Sequence, residues 1–342
     1  MQRQIDFIGM RKTWFAISAL LIAIGLVSLV MPGRGLRLGI DFTGGILADL
    51  TFDKAISTGE VRDALNSVNL GGAQIQKTTD AANEVLIRTR SLTAEEQRAM
   101  NSALESKVGK FQILRLEEVK GVIGQELARK GVLALLLAGV GMIAYITVRF
   151  EYKFALTGMA ALVHDVFLVI GFYSLTGLEA NSPLIAVVLT IIGYSINDTI
   201  VVFDRIRENL KSRRRESLKD IVNASINQTM TRSLNTSLTT LLAVLAVFLF
   251  GGRTTRDFAL ALLVGITTGT YSSIFVASPL WWMWKVAEER AAQGLGASTA
   301  ATAVAAATAV TAYAAPVEVP RGAGRVAVEV PRGAGRRPRK KR

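Results

Sequence analysis

A buried acid within a long apolar segment is the residue of this sequence best placed to do chemistry. Residues 183–205 read PLIAVVLTIIGYSINDTIVVFDR, and Asn197 and Asp198 lie well inside this run. A carboxylate at the depth of a lipid bilayer costs about 2.5 kcal/mol or more, so acids found there usually serve an ion pathway. The sequence therefore predicts that Asp198 takes part in moving protons through a membrane.

Three consecutive apolar segments supply further polar groups. His164 and Asp165 lie near the middle of the first, and Tyr194 lies one helical turn before Asp198 in the second. Arg232 stands at the start of the third. An Asp–Arg pair in this setting predicts a proton switch, because protonating the carboxyl would release a guanidinium that stays charged. We expect Asp165 near the middle of the bilayer and Asp198 closer to the cytoplasm.

Each of these features also has a structural interpretation. A buried Asp198–Arg232 pair could simply fix how two helices pack, and His164 could be a hydrogen-bonded packing residue. Asp165 and Asp198 on neighbouring helices are also the kind of pair that an intramembrane aspartyl protease uses. The local sequence YSIND differs from the GxGD pattern of the presenilin-like proteases.

Composition restricts the other chemistry that is open to the chain. The 342 residues are 50% hydrophobic, with no cysteine and one histidine. Thiolate and histidine-rich metal sites are therefore excluded, and we predict no metal and no cofactor. The net charge of +13 is explained by basic loops on one side of a membrane, so no specific nucleic-acid partner is predicted.

The apolar segments predict six transmembrane helices, because each is near the length that crosses a bilayer core. Basic loops place both termini in the cytoplasm, and the first helix is predicted to be uncleaved rather than a signal peptide. Gly265 and Gly269 allow close helix contact in the last span, and Gly193 could admit a neighbour or a bend. The predicted spans are residues 14–31, 131–148, 154–175, 183–203, 233–250 and 258–284.

A hydrophilic segment separates the first two spans. Its elements alternate as βαββαβ, which predicts an extracytoplasmic α+β domain of ferredoxin-like type. Thr58 is predicted to cap its first helix, and Thr93 with Glu96 forms a capping box on its second. The predicted strands are residues 47–52, 73–78, 84–89 and 111–119, and the predicted helices are residues 58–69 and 93–107.

Four regions follow from these boundaries. Residues 1–32 hold the cytoplasmic N-terminus and first helix, 33–130 the extracytoplasmic domain, and 131–285 the remaining five helices. Residues 286–342 are predicted to be a disordered, basic cytoplasmic tail, in which VEVPRGAGR occurs twice. The composition favours a solvated tail without a specific partner, and contact of its basic end with anionic lipid or ribosomal RNA is the alternative.

Four motifs resemble the SecF family, the smaller membrane subunit of the bacterial SecDF export complex, related to the RND transporters. They are LGIDFTGG at 38–45, HDV at 164–166, GYSINDTIVVFDRIREN at 193–209 and TMTRSLNTS at 229–237. The resemblance implies that Asp198 and Arg232 take part in proton transport. It also assigns family motif positions to Gly39, Asp41, Gly44, Gly45, Asp204 and Arg205.

The resemblance further implies a function and partners. A SecF protein is not an enzyme; with SecD it uses the proton-motive force to promote late steps of preprotein translocation through SecYEG. The implied partners are SecD, SecYEG, YidC and YajC, exported preproteins and membrane lipids of the bacterial cytoplasmic membrane. A stand-alone half of an RND-type exporter of small molecules or lipids is the alternative.

Overall fold

A computed structural model describes residues 5–77, 82–213 and 215–292. The last apolar helix continues to Ala292, so the predicted start of the tail at residue 286 is wrong, and the rest of the predicted tail lies outside the described residues. The described residues up to Ala287 form one compact unit. In chain order the elements are α1 (Arg11–Val30), β1 (Arg37–Leu38), α2 (Ile40–Thr43), β2 (Gly45–Phe52), α3 (Thr58–Asn66), β3 (Gln74–Lys77), β4 (Glu84–Thr89), α4 (Ala94–Lys107), β5 (Phe111–Val119), α5 (Gly121–Arg149), α6 (Tyr152–Thr176), β6 (Glu179–Ala180), α7 (Ser182–Ser212), α8 (Leu218–Phe250) and α9 (Arg253–Ser272), followed by a π-helical segment (Ser273–Ala277).

Six helices in the described part of the chain are long and apolar enough to cross a membrane, which confirms the predicted number. Two of them begin earlier than their apolar cores. Helix α5 begins at Gly121 rather than Gly131, and α8 begins at Leu218 rather than Ser233. The added turns are polar, so hydropathy cannot detect them. The Ser217 hydroxyl accepts a hydrogen bond from the backbone of Asp220 and starts α8 as an N-cap.

A small α+β domain stands between the first two membrane helices. Its elements run β2–α3–β3–β4–α4–β5, the predicted βαββαβ order. The strands form one antiparallel sheet in the order β3-β4-β2-β5. Alternate residues of β2 and β4 face the two helices and build a separate hydrophobic core. That core includes Ile46, Leu50, Val85, Ile87, Leu65, Met100 and Leu104.

The two helices of this domain have side-chain caps at their N-termini. Thr93 and Glu96 form the predicted capping box of α4. The predicted cap of α3 is wrong by one residue, because Ser57 and not Thr58 accepts the hydrogen bond from Glu60. The Glu60 carboxylate in turn accepts a hydrogen bond from the Ser57 backbone N–H, so the two residues form a complete capping box.

Close contacts between glycines and neighbouring side chains set the packing of the bundle. A side chain at Gly269 would place its Cβ 2.9 Å from the Cβ of Ser195, and one at Gly265 would collide with Ile191. The predicted close approach at Gly265 and Gly269 is therefore confirmed, and it joins α9 to α7. Gly193 has no atom within 4 Å of its would-be Cβ in the described residues.

Candidate ion site within the helix bundle

Helix α7 positions most of the side chains that matter for chemistry. Pro183 lies in its first turn, where the missing backbone N–H costs nothing. Its buried positions recur every three or four residues, as expected for one face of a helix. This spacing places Ser195 and Asp198 on the buried face, together with the apolar residues Leu184, Val188, Ile191 and Val202.

Asp165 lies at the meeting point of α6, α7 and α9. It is fully buried, with 0% of its surface exposed. The hydroxyls of Ser195 and Ser272 each donate to Oδ2 at 2.7 Å, and Nδ1 of His164 lies 3.0 Å from Oδ1. Three side chains from three helices therefore converge on one carboxyl, which satisfies it well for a buried acid.

A π-helical segment follows α9 at the point where serine hydroxyls contact Asp165 and α7. The Ser278 hydroxyl bonds the carbonyl of Ser273, five residues earlier. Ser272, the last residue of α9, reaches Asp165. Ser273, the first residue of the π-helical segment, contacts the Ser195 carbonyl at 3.1 Å and the Thr199 hydroxyl at 2.9 Å. Short π-helical turns of this kind are frequent at functional sites.

Asp198 has a sparser environment than Asp165. It is 3% exposed, and the Ser237 hydroxyl of α8 lies 3.4 Å from its Oδ2. That distance is long for a hydrogen bond between oxygens. The Ser237 hydroxyl also pairs with Thr270 of α9 at 2.6 Å. The buried Ser233 hydroxyl lies close to the same carboxyl but forms no hydrogen bond of good geometry.

Arg232 does not form the direct ion pair with Asp198 that the sequence suggested. Within the described residues, neither side chain has an ion-pair partner. Ser233 and Ser237 are four residues apart and share the face of α8 that meets α7. Arg232 is rotated about 100° from Ser233 by the helical repeat and is exposed.

A polar cavity of about 400 Å³ is lined by the α7 residues Asn197 and Ile200, which flank Asp198 in sequence, but not by Asp198 itself. Asn197 and Arg232 both line it, so the residue next to the buried acid faces the same space as the guanidinium. Asp204 and Arg205 of the predicted motif line it as well, and Arg205 pairs with Glu208 at 2.9 Å. The structure therefore gathers these four predicted residues around one cavity.

Two other predicted residues lie inside the bundle with unused polar atoms. The Tyr194 hydroxyl and Nε2 of His164 are buried, and neither has a hydrogen-bond partner among the described residues. The His164 ring stacks against Tyr271 with a centroid separation of 6.2 Å. His164 thus contacts Asp165 through Nδ1.

The glycine-rich motif joins the α+β domain to the membrane helices. The Asp41 carboxylate accepts hydrogen bonds from the backbone N–H of Ser182 at 2.8 Å and from its hydroxyl at 2.6 Å. It therefore caps the N-terminus of α7, the helix that carries Asp198, where negative charge is favoured. A side chain at Gly39 would collide with Asn181.

The paired glycines of this motif have backbone conformations that favour glycine. Gly44 and Gly45 have φ angles of 72° and 131°, in the region that other residues rarely adopt. A Cβ at Gly44 would also collide with the backbone of Gly121, and one at Gly45 with the carbonyl of Thr89. The motif is thus the joint where strand β2, strand β4 and helix α5 meet.

Sequence reasoning did not identify the hydroxyls that surround the two acids. Ser195, Ser272 and Ser237 belong to small polar residues scattered through apolar helices. The available signal was the run TYSS in α9, since serines inside membrane helices usually hydrogen-bond within the bundle. Among the described residues, no group of three or more His, Cys, Asp or Glu is arranged to hold a metal ion.

These features define a polytopic helical membrane protein with buried acids in its bundle and an α+β domain between the first two spans. The profile of the family "protein export membrane protein SecD/SecF, C-terminal" matches residues 99–287, and that of the "SecD/SecF GG motif" matches residues 29–56. The GG motif range contains Gly44 and Gly45, the paired glycines at the joint.

Curated relatives narrow the assignment. The protein translocase subunit SecF of Magnetococcus marinus is 47% identical over 283 residues, covering 80% of this chain and 90% of that protein. The SecF subunit of Desulfurispirillum indicum is 43% identical over 291 residues, covering 82% and 92%. The chain belongs to the SecF family.

Solved structures agree with this assignment. SecDF from Thermus thermophilus superposes with a TM-score of 0.75 at 41% identity, covering 83% of this chain and 39% of that one. SecDF in its super-membrane-facing form gives a TM-score of 0.63 at 40% identity, covering 86% and 40%. The chain thus spans about two fifths of the length of the SecDF chains it resembles.

Proposed function

We propose that this chain acts as the SecF subunit of a SecD–SecF complex that uses the proton-motive force to promote late steps of Sec-dependent preprotein translocation. The names of its relatives, translocase subunits, support the export role. The SecDF structures, of which it matches about two fifths, support SecD as the partner that supplies the remaining part. In this account the chain catalyses no chemical reaction.

The observation that carries the proposal is the Asp198 carboxyl, 3% exposed within an apolar bundle. Its hydrogen bond to Ser237 is long, at 3.4 Å. An acid that is buried but poorly satisfied can gain or lose a proton with little rearrangement of its partners. Moving one charge through 100 mV provides about 2.3 kcal/mol, enough to bias two arrangements of α7 and α8.

In this account the proton enters through the polar cavity and passes along α7 to Asp198, which does not itself line the cavity. Asn197 lines this cavity one residue before the acid, and Arg232 lines it from α8. In this account Arg232 is the permanent cation that the ionised Asp198 attracts, so the ion pair belongs to another state of the same helices. Tyr194, one turn away with its hydroxyl unpaired, completes the polar surroundings.

Asp165 has a positioning role in the same account. The Ser195 and Ser272 hydroxyls that donate to it come from α7 and α9, while His164 neighbours it on α6, so it holds these helices in register around the site. His164 is its companion and supplies the adjoining buried nitrogen. We place both beside the proton route and assign the exchange of the proton itself to Asp198.

The proposed setting is the bacterial cytoplasmic membrane, with both termini in the cytoplasm. Basic residues gather in the segment that joins α7 to α8, which is typical of a cytoplasmic loop, and the α+β domain then lies on the opposite side. Further proposed partners are SecYEG, YidC and YajC, the exported preproteins and the surrounding lipids.

Two alternatives are less well supported. An intramembrane aspartyl protease needs two acids that face one substrate bond, whereas Asp165 and Asp198 are engaged by different hydroxyls. A stand-alone RND-type exporter half is not favoured by the relatives, which are translocase subunits.

Export in membrane vesicles tests the proposal. Vesicles that contain SecD and either wild-type chain or Asp198→Asn are given a preprotein and a proton gradient, and protected preprotein is counted. Loss of the gradient-dependent part is expected for Asp198→Asn. Glu105→Gln, which removes an exposed acid of α4 in the α+β domain, is the control and should behave as wild type. Normal gradient-dependent export by Asp198→Asn would refute the mechanism.

A further inference from the structure

A second cavity, remote from Asp198, is lined by four arginines. It encloses about 460 Å³ between the α+β domain and the segment that follows α1. Arg34 and Arg37 come from that segment, Arg62 from α3 and Arg88 from β4. The other lining residues are Gly33, Gln74, Ile75, Gln76 and Leu86, so no carboxylate lies among them.

Most of this positive charge is not neutralised within the described protein. Arg34 and Arg37 form no ion pair with any described residue, and both are exposed. Arg62 uses one N–H on the carbonyl of Gly71 at 3.2 Å. Arg88 pairs with Glu179 of β6. Four guanidinium groups therefore share one acid, which leaves an excess of donors around the cavity.

Arg88 is the most enclosed of the four. Its side chain is 11% exposed, one terminal nitrogen donates to Gln74 at 3.1 Å, and its Nε has no hydrogen-bond partner among the described residues. Burial, followed by the nearby charge of Arg37, lowers the pKa of Arg88. An anion in the cavity would relieve this crowding of like charges.

The cavity lies at the edge of the membrane-spanning region. Arg34 and Arg37 follow the end of α1 at Val30 within a few residues. The Arg37 guanidinium packs against Gly177, where a Cβ would lie 3.3 Å from its Nη1. Gly177 is the C-cap of α6, so Arg37 stands where two spanning helices leave the apolar layer. Lipid phosphates occupy this depth of a bilayer.

We propose that this cavity binds a phosphate group, and that its source is the headgroup of a membrane phospholipid. The planar guanidinium presents paired N–H donors that match phosphate oxygens, and such charge-assisted bonds are stronger than neutral ones. The bound phosphate would bridge the segment after α1 to strand β4 and fix the α+β domain against the bilayer surface. This inference rests on the membrane setting and not on the proton route.

Binding to the full chain purified in detergent tests the proposal. The probes are phosphatidylglycerol, diacylglycerol with the same acyl chains, and inorganic phosphate, and the readouts are bound lipid in native mass spectrometry and the shift in unfolding temperature. Phosphatidylglycerol should bind and diacylglycerol should not. The double variant Arg34→Gln/Arg37→Gln should bind phosphatidylglycerol about tenfold more weakly or worse, since it lacks two charged donors.

A matched control variant distinguishes the loss of the proposed site from a general loss of positive charge. Arg98→Gln/Lys107→Gln removes the same charge from exposed positions of α4 and should bind as wild type. Inorganic phosphate is the remaining probe. If it binds to wild type and Arg34→Gln/Arg37→Gln abolishes that binding, the site recognises phosphate and a free anion is its source. Equal loss in both double variants, equal binding of diacylglycerol, or no binding of either phosphate probe would overturn the proposal.

Discussion

Asp165 and Asp198 are two buried acids of one helix bundle that differ in how many hydrogen bonds they accept. Asp165 is met by Ser195, Ser272 and His164 at 2.7, 2.7 and 3.0 Å. Asp198 has one donor, Ser237, at 3.4 Å. Both are almost completely removed from solvent, so burial alone does not distinguish them; the number and distance of their donors do.

The difference indicates which acid can change its charge. A carboxyl with three well-placed donors from three helices cannot be altered without disturbing all three, which suits a positioning role. A carboxyl with one long contact can exchange a proton at lower cost, because fewer hydrogen bonds have to rearrange. The contrast should appear first in the free energy of unfolding. Thermal unfolding of the purified full chain measures it for each variant.

Removing Asp165 should have the largest effect on stability. Asp165→Ala leaves Ser195, Ser272 and His164 without their acceptor inside the bundle, and each unsatisfied group costs about 1–3 kcal/mol. We expect the free energy of unfolding to fall by about 2–5 kcal/mol. Asp165→Asn keeps one acceptor oxygen and should lose less than half of that. A loss below about 1 kcal/mol for Asp165→Ala would contradict the positioning role.

Crowding the helix contact behind Asp165 should have the next largest effect. In Gly269→Ala the new methyl meets the Cβ of Ser195 at 2.9 Å, and Ser195 is a donor to Asp165. Overpacking of this kind costs about 1–3 kcal/mol.

Gly193→Ala is the control for that variant, since open space surrounds this position. It should leave the free energy of unfolding unchanged to within about 0.5 kcal/mol or raise it slightly, because alanine favours the helix. Equal effects of the two substitutions would show that the α7–α9 contact does not depend on the glycine.

The fold was predictable from sequence wherever the pattern was local. The strands Glu84–Thr89 and Phe111–Val119 agree with their predicted bounds, and the Thr93 capping box marks the start of α4. Each rests on residues close together in the chain. The parallel pairing of Arg37–Leu38 with Glu179–Ala180 was not predicted, because two residues from distant segments leave no periodic signal.

The candidate site was predictable only in part, for the same physical reason. Asp198 is conspicuous because an acid interrupts an apolar run. Its donor Ser237 and the donors of Asp165 are small residues whose role depends on which helices meet. Arg232 was placed on the right helix, but its rotation relative to Ser233 decides that it faces the cavity.

A third carboxyl, Asp41, lies at the N-terminus of α7 and can be compared with the two buried acids. It is satisfied by two donors of Ser182 at 2.8 and 2.6 Å, so it belongs with Asp165 as a structural acid. Asp41→Ala should lower the free energy of unfolding by about 0.5–2 kcal/mol, the usual range for a lost N-cap. Asp41→Asn keeps an acceptor and should retain most of that stability. Identical losses for both would argue against capping.

The smallest effect on stability is expected for Glu96, a carboxylate at the protein surface that accepts hydrogen bonds from Arg90 and Thr93. Arg90 and then the backbone of Thr93 lower the pKa of Glu96 to about 2, from 4.5. Because the folded pKa is depressed, the stabilisation is present above pH 4.5 and is lost as the pH falls toward about 2. Over that window Glu96→Gln should lose less stability than wild type.

Glu105→Gln controls for the loss of an acid from the same helix, at an exposed position. It should follow the wild-type dependence on pH. If Glu96→Gln and wild type lose stability in parallel between pH about 5 and about 2, the contacts of Glu96 do not affect folding.

Proton flux through liposomes that contain this chain together with SecD tests the central contrast most directly. Wild type, Asp165→Asn and Asp198→Asn are compared after flux is normalised to the amount of folded complex. The account predicts that Asp165→Asn retains proton flux and that Asp198→Asn abolishes it. Undiminished flux through Asp198→Asn, or its complete loss in well-folded Asp165→Asn, would contradict the assignment of proton exchange to Asp198.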